Sequence, residues 1–289
     1  MKKILVTGAT GFIGNYVIRE LIEKNNDGDL TIIASSAHSA KAQNFSWIKN
    51  VEYIPLDLKQ LDGSKNYFDF FQRPDIMIHL AWEGLPNYKD SFHLEDNLPR
   101  HFSFLKNMIE NGLRDLSVSG TCLEYGMQEG PLNEELASVP TVPYAIAKND
   151  LRKSIEALSH HHELSFKWIR LFYMFGKGQN PKSLFSQLDQ AIANNESSFN
   201  MSGGEQVRDY LPVETLAKYI VKISMQKNVT GIINCCSGKP VTIRRLVGDY
   251  LQKKNATITL NLGVYSYPDY EPMEFWGANS KLKTILDNE

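Results

Sequence analysis

The chain is poor in cysteine, with three in 289 residues, at positions 122, 235 and 236. Three thiols cannot build a disulfide framework, and their spacing matches no metal-ligand pattern. They read as buried thiols of a reducing compartment, and no metal site is expected. A basic excess is missing too: 31 Lys and Arg stand against 33 Asp and Glu, for a net charge of −2. That balance argues against nucleic acid and against a membrane surface as partners. Long apolar runs are absent, and nothing approaches the roughly 18 residues of a membrane span. The N-terminal Lys2-Lys3 pair is followed by an apolar run, Ile4–Val6, far too short for a secretory signal. These absences point to a soluble, cytoplasmic chain. The composition, 42% apolar and 22% charged, is that of a globular protein with a sizeable core.

The first half alternates short apolar runs with amphipathic stretches. Strands are predicted at Lys3–Thr7, Leu30–Ala34, Val51–Pro55, Asp75–Ala81, Leu113–Ser119 and Phe166–Leu171. Their continuous apolar character suits parallel strands covered on both faces. Helices are predicted at Phe12–Lys24, Asn97–Asn111 and Tyr144–His160. This alternation predicts an α/β fold, a doubly wound parallel sheet of Rossmann type. After about Leu171 the rhythm changes. The expectation is a cofactor-binding domain over residues 1–171 and a smaller, mixed substrate lobe over 172–289, with some later chain returning to the sheet. Thr242 is placed as N-cap of a helix from Ile243 to about Lys253.

Thr7-Gly8-Ala9-Thr10-Gly11-Phe12-Ile13-Gly14 lies between the first strand and the first helix. Gly8 allows a tight turn, Gly11 lets the backbone approach a pyrophosphate, and Gly14 lets helix pack close to strand. The helix N-terminus then offers N–H groups and a positive dipole end to the anion. The spacing is G-x-x-G-x-x-G rather than the common G-x-G-x-x-G. Sites that prefer NAD place an acid after the second strand. Here the run is Ala34-Ser35-Ser36-Ala37-His38, with Lys41 beyond. With no carboxylate to repel a 2′-phosphate, and with hydroxyls and a cation to hold one, NADP(H) is the expected cofactor and NAD(H) the alternative.

Tyr144-Ala145-Ile146-Ala147-Lys148 has the form Y-x-x-x-K, which puts phenol and ammonium on one helix face. The ammonium is expected to lower the phenol pKa, so that Tyr144 exchanges a proton with a substrate oxygen while hydride moves. Ligands of parallel sheets sit at the carboxyl ends of strands. The strand ending Ser119-Gly120-Thr121 therefore offers the Thr121 hydroxyl to the same oxygen.

With these motifs in place, the chain resembles the extended short-chain dehydrogenases/reductases of the sugar-nucleotide epimerase/dehydratase group, from Lys3 to about Lys283. The resemblance implies that Phe12 and Ile13 belong to the cofactor loop and that Asp57 and Leu58 lie at the adenine. It places the backbone of Leu80 and Ala81 beside the cofactor, and Asn97 as the helix asparagine. Lys148 would also reach the nicotinamide ribose. Arg208, within Gly203–Tyr210, would hold a sugar-nucleotide diphosphate, and a homodimer is implied. Two departures matter. Tyr173 stands where many members have Asn against the diphosphate. Dehydratases follow the Thr with Asp-Glu, whereas here Cys122 and Leu123 follow Thr121, with Glu124 one position later as a possible substrate contact. Trp82 can border the substrate sugar or simply line the site. The run Tyr265–Trp276 reads as packing of the small lobe, with substrate contact as the alternative, and His160-His161-His162-Glu163 as a solvated helix end.

The function expected is NADPH-dependent reduction of the 4-keto group of a nucleotide-linked 4-keto-6-deoxyhexose, most simply dTDP-linked. C4 epimerisation with bound NAD is the alternative. A protein that senses NADP without turnover would have no need of Thr121, Tyr144 and Lys148 together.

Overall fold

The computed structural model describes residues 1–287. Seven strands form one sheet. From one edge the order is Gly231–Cys235, Ser165–Leu171, Asp115–Thr121, Ile76–His79, Lys2–Thr7, Leu30–Ser35 and Glu52–Tyr53. Every pairing within it is parallel. The fold is thus a Rossmann-type α/β fold. The strand order reverses between Lys2–Thr7 and Ile76–His79, so the loops at their carboxyl ends diverge and leave a crevice.

Alternation along the first strand divides the core. Ile4 and Val6 join the apolar cluster on one face, with Val17, Leu21, Leu216 and Ile220 from the helices Phe12–Lys24 and Val213–Met225. Leu5 joins the opposite cluster, with Phe104, Met108, Leu151 and Ile155 from Leu98–Glu110 and Pro143–Ser159. A third cluster, built on Phe185, Leu188, Phe199, Ile243 and Val247, lies off the sheet. Thr242 caps the helix Ile243–Lys253, its hydroxyl accepting from Arg245 N. No helix among the described residues is long and apolar enough to cross a membrane.

Several strand ends differ from the expectation, the fourth strand running Ile76–His79 rather than Asp75–Ala81. The third strand shrinks from Val51–Pro55 to Glu52–Tyr53. Pro55 has no N–H to give to the ladder, although Ile54 and Leu56 still bond to Ala34 and Ser36. The fifth strand continues past Ser119 to Thr121, with Gly120 paired to Arg170 and Thr121 to Leu171. A Cβ at Gly120 would collide with the Trp168 indole nitrogen and the Glu124 carboxylate, so the strand needs glycine there.

At the opposite end of that strand, Lys167 Nζ donates to Asp115 Oδ1 at 2.6 Å, with the lysine side chain fully buried. Removing one partner of such a pair strands the other charge. Asp115→Ala is expected to lower stability by about 3 kcal/mol in urea unfolding, and Asp115→Ala/Lys167→Met to recover most of the loss.

Candidate active site

The glycine loop is a cradle closed by its own backbone. Gly8 sits at φ +73°, and a Cβ there would come within 2.7 Å of Ala81 N. A Cβ at Gly14 would collide with the Gly8 carbonyl. Gly11 N donates to Gly8 O at 2.9 Å, and Gly11 is the N-cap of the helix Phe12–Lys24. No side chain caps that helix end, and its first turn holds no acid. Its N–H groups and dipole are free for an anion, so the residues present fit a dinucleotide pyrophosphate.

A cavity of about 510 Å³ opens on this cradle. Gly8, Gly11, Phe12, Ile13 and Gly14 line it, as do Leu80 and Trp82. Thr121, Tyr144, Lys148 and Tyr173 line it as well. Ser35, Ser36, Lys41, Asp57, Leu58 and Ala81 do not. Ala81 instead backs the cradle at Gly8. Ser35 is buried and its carbonyl accepts from Ala9 N at 3.0 Å. The Ser36 hydroxyl is bonded to the Tyr53 hydroxyl at 2.8 Å. Lys41 is exposed on the short helix Ser39–Ala42. Asp57 caps a 3-10 turn, accepting from Lys59 N at 2.9 Å.

Tyr144 and Lys148 sit one turn apart at the start of the helix Pro143–Ser159, and both are buried. Tyr144 N donates to Tyr88 O at 3.1 Å, which ties the helix start to the loop after the fourth strand. Burial raises the Tyr144 pKa, with Tyr88, Glu124 and Cys122 adding to it and a hydrogen bond with the Thr121 hydroxyl opposing it. The expected lowering by Lys148 is not realised here. The Lys148 ammonium donates to Ser119 O at 2.9 Å and lies 4.0 Å from the centre of the Trp82 ring. Burial pushes Lys148 down to about 7, against the pull of Glu124. The phenol is therefore held protonated, on the same helix face as a lysine brought down to about 7.

Trp82 is fixed from several sides. Its indole N–H donates to His93 Nδ1 at 3.1 Å, and its ring stacks on His101 with centroids 4.6 Å apart. Since Nδ1 of His93 accepts, its proton sits on Nε2, which faces Asn87 O at 3.1 Å. His79 bonds to Thr7 Oγ1 and to His101, each at 2.7 Å. Burial, then Lys148, push His79 down to about 3, and burial with His79 takes His101 well below its ordinary value. Asn97 closes a π-helical turn, His93–Asn97, and donates to Glu83 O at 3.1 Å. The sequence carried no signal for this histidine cluster, because its members are brought together from a strand, a π-turn and a helix.

Glu124 is a correction. The sequence offers it as a possible substrate contact, yet it is fully buried and does not line the cavity. It accepts from Thr121 N at 2.8 Å, Trp168 Nε1 at 2.9 Å and Arg170 Nε at 2.9 Å. Those bonds hold a desolvated carboxylate that substrate cannot reach. Arg208 is also buried behind the wall, paired to Glu271 at 2.9 Å, and it is Glu271 that lines the cavity. The run Tyr265–Trp276 is not simply packing: Tyr265 and Tyr267 are exposed, Phe275 is buried and Glu271 reaches the site. Tyr88, Lys182 and Tyr210 are further lining residues that pattern reading missed. Tyr88 and Lys182 sit in loops with no motif of their own, and Tyr210 closes the Gly203–Tyr210 segment, in which only Arg208 was singled out.

Residues 4–236 match the sequence pattern of the NAD dependent epimerase/dehydratase family. The chain belongs to this family. A dTDP-6-deoxy-L-talose 4-dehydrogenase (NAD(+)) of Aggregatibacter actinomycetemcomitans is 32% identical over 276 residues, covering 95% of this chain and 99% of that protein. A dTDP-4-dehydro-6-deoxyglucose reductase of Escherichia coli is 26% identical, covering 84% of this chain and 79% of that one. Among solved structures, the UDP-glucuronic acid 4-epimerase of Bacillus cereus, in complex with UDP-glucuronic acid and NAD, superposes with a TM-score of 0.83. It is 22% identical and the match covers 99% of this chain and 93% of that one, a likeness of fold. As a member of this family of sugar-nucleotide oxidoreductases and epimerases, the protein is an enzyme.

The lowered Lys148 pKa has a consequence for stability. Between the folded value of about 7 and the unfolded 10.5, the unfolded chain binds a proton that the folded chain does not. Stability contributed by this group therefore rises with pH across that window and is lower below it. Lys148→Met is expected to be more stable than the parent at pH 7, with the difference shrinking towards pH 10, as read by urea unfolding at several pH values.

Proposed function

We propose that this family member reduces the 4-keto group of a nucleoside-diphosphate-linked 4-keto-6-deoxyhexose, with dTDP as the nucleotide and NADPH as the preferred hydride donor. The observation that carries the proposal is the wall Thr121-Cys122-Leu123 beside Tyr144. Thr121 and a phenol held protonated face the cavity, which suits a ketone that must gain a proton. Cys122 stands where dehydratases of the family have an acid, and burial raises its thiol pKa. The wall can protonate an oxygen but lacks the acid–base pair for eliminating water. The names of the Aggregatibacter and Escherichia relatives, both concerned with carbon 4 of dTDP-6-deoxysugars, support the same reading.

In this scheme Gly8, Gly11 and Gly14, with the N–H groups at Phe12 and Ile13, hold the cofactor pyrophosphate. Asp57 and Leu58 lie toward the adenine, Leu80 and Ala81 beside the cofactor, and Lys148 reaches the ribose. When bound, the reduced nicotinamide supplies the hydride that forms the new C4–H bond. Tyr144 gives its phenolic proton to O4 as the C=O double bond becomes a single bond, and Thr121 donates a hydrogen bond to that oxygen. Trp82 borders the sugar, and the diphosphate lies toward Tyr173 and Arg208. Ser35, Ser36 and Lys41, with no acid among them, support NADPH. The NAD(+) in the Aggregatibacter protein's name supports NADH.

Mixing the protein with NADPH and dTDP-4-keto-6-deoxyglucose should consume reduced nicotinamide. Failure on this and on the CDP- and GDP-linked ketones, together with UDP-hexose interconversion without added cofactor, would assign it to the C4 epimerases instead. Tyr144→Phe should keep cofactor binding and lose turnover by about 10²- to 10⁴-fold, the size of a general-acid contribution. Fluorescence titration should find NADPH about tenfold tighter than NADH, roughly 1.4 kcal/mol. The reverse order would move the assignment to NADH.

A further inference from the structure

We propose that Glu271 is a resident anion on Arg208, and that a ligand's diphosphate reaches the guanidinium by exchanging with it, so that Glu271 sets which ligands the site accepts. The inference rests on reading this cavity as a nucleotide-sugar site.

Arg208 has almost no spare donors. Its Nη1 donates to Val207 O at 2.9 Å and to Met273 O at 3.1 Å. Its Nε and Nη2 both donate to Glu271 Oε2, at 3.2 and 2.9 Å. That is the fork an arginine offers an oxyanion, already taken by a carboxylate of the same chain. The ring of Phe275 lies 4.4 Å from the guanidinium carbon, so its face is covered as well. The Tyr173 hydroxyl is buried beside Arg208, Glu271 and Cys122 without a hydrogen-bond partner of good geometry. A phosphate oxygen arriving there would meet both an unpartnered hydroxyl and the guanidinium.

The cavity therefore shows a carboxylate at this wall and keeps the cation behind it. A neutral ligand has nothing to offer in exchange. A diphosphate carries more charge than the carboxylate and can satisfy the fork with its own oxygens. The segment carrying Glu271 is held lightly on its far side. Asp269 pairs with Lys89 at 2.7 Å, but both side chains are largely exposed, and exposed pairs contribute little. Tyr270 meets Tyr88 with ring centroids 5.7 Å apart. Beyond Glu271 the backbone is held, with Val207 N donating to Met273 O at 2.9 Å, so the exchange is a swing of the Glu271 side chain alone.

The test is calorimetric titration of the parent and of Glu271→Gln with dTDP and with thymidine, each variant checked for cooperative thermal unfolding. Glu271→Gln should bind dTDP about tenfold tighter, roughly 1.4 kcal/mol, and thymidine with unchanged affinity. Glu271→Asp, which keeps the charge, should bind dTDP like the parent. Adding Arg208→Gln to Glu271→Gln should abolish the gain. Unchanged dTDP affinity in Glu271→Gln overturns the inference alone. So does weaker binding of both ligands, which would make Glu271 a direct contact to the nucleoside. No binding of dTDP to the parent or to Glu271→Gln overturns the nucleotide-sugar reading and this inference with it. If Glu271→Gln tightens dTDP while the 4-keto sugars are not reduced, the exchange stands and the assigned reaction falls.

Discussion

The site depends on one buried carboxylate. Glu124 takes the Arg170 guanidinium, the Trp168 indole and the Thr121 amide within about 3 Å. It thereby clamps the ends of two neighbouring strands and the turn that follows the fifth. The turn has a reciprocal cap, since the Thr121 hydroxyl accepts from Leu123 N while Glu124 holds the Thr121 amide. Thr121 is consequently presented to Tyr144 at a fixed height on the sheet. Gly120 belongs to the same constraint, because Glu124 and Trp168 occupy the space a side chain would need. A buried ion pair of this kind is weak evidence for stability, and its value here lies in positioning.

Around that clamp the molecule keeps the site poor in net charge. His79 and His101 are held neutral, the Tyr144 phenol is held protonated, and Lys148 is brought near its midpoint. Arg208 is matched by Glu271. Desolvation dominates each of these shifts, so the enclosure of the cavity and the protonation states of its walls have one cause.

Much of this was legible in the chain. The glycine spacing, the Y-x-x-x-K pair and the threonine at a strand end are local patterns, and each reports on a backbone or helix-face geometry set by a few neighbouring residues. They suffice to place Gly8, Gly11, Gly14, Thr121, Tyr144 and Lys148 around one cavity. The role of Glu124 is not legible in the sequence, because its partner Arg170 lies 46 residues away on another strand. A glutamate in a polar turn looks the same in sequence whether it faces ligand or core. The aromatic run near the C-terminus is ambiguous in sequence for the opposite reason: its apolar content suggests packing, which Tyr270 and Phe275 provide, while Tyr265 and Tyr267 are exposed and Glu271 inside it lines the site.

The sequence by itself determined the strand–helix alternation, the glycine cradle at the first helix and the placing of Tyr144 and Lys148 on one helix face. Only the tertiary structure decided the charge states and the pairings: which histidines meet, where the Lys148 ammonium points, and which carboxylate covers Arg208. Local geometry is encoded within a turn or two of chain. Desolvation and ion pairing depend on residues far apart in the sequence, and those distances exist only after the sheet has closed around its core.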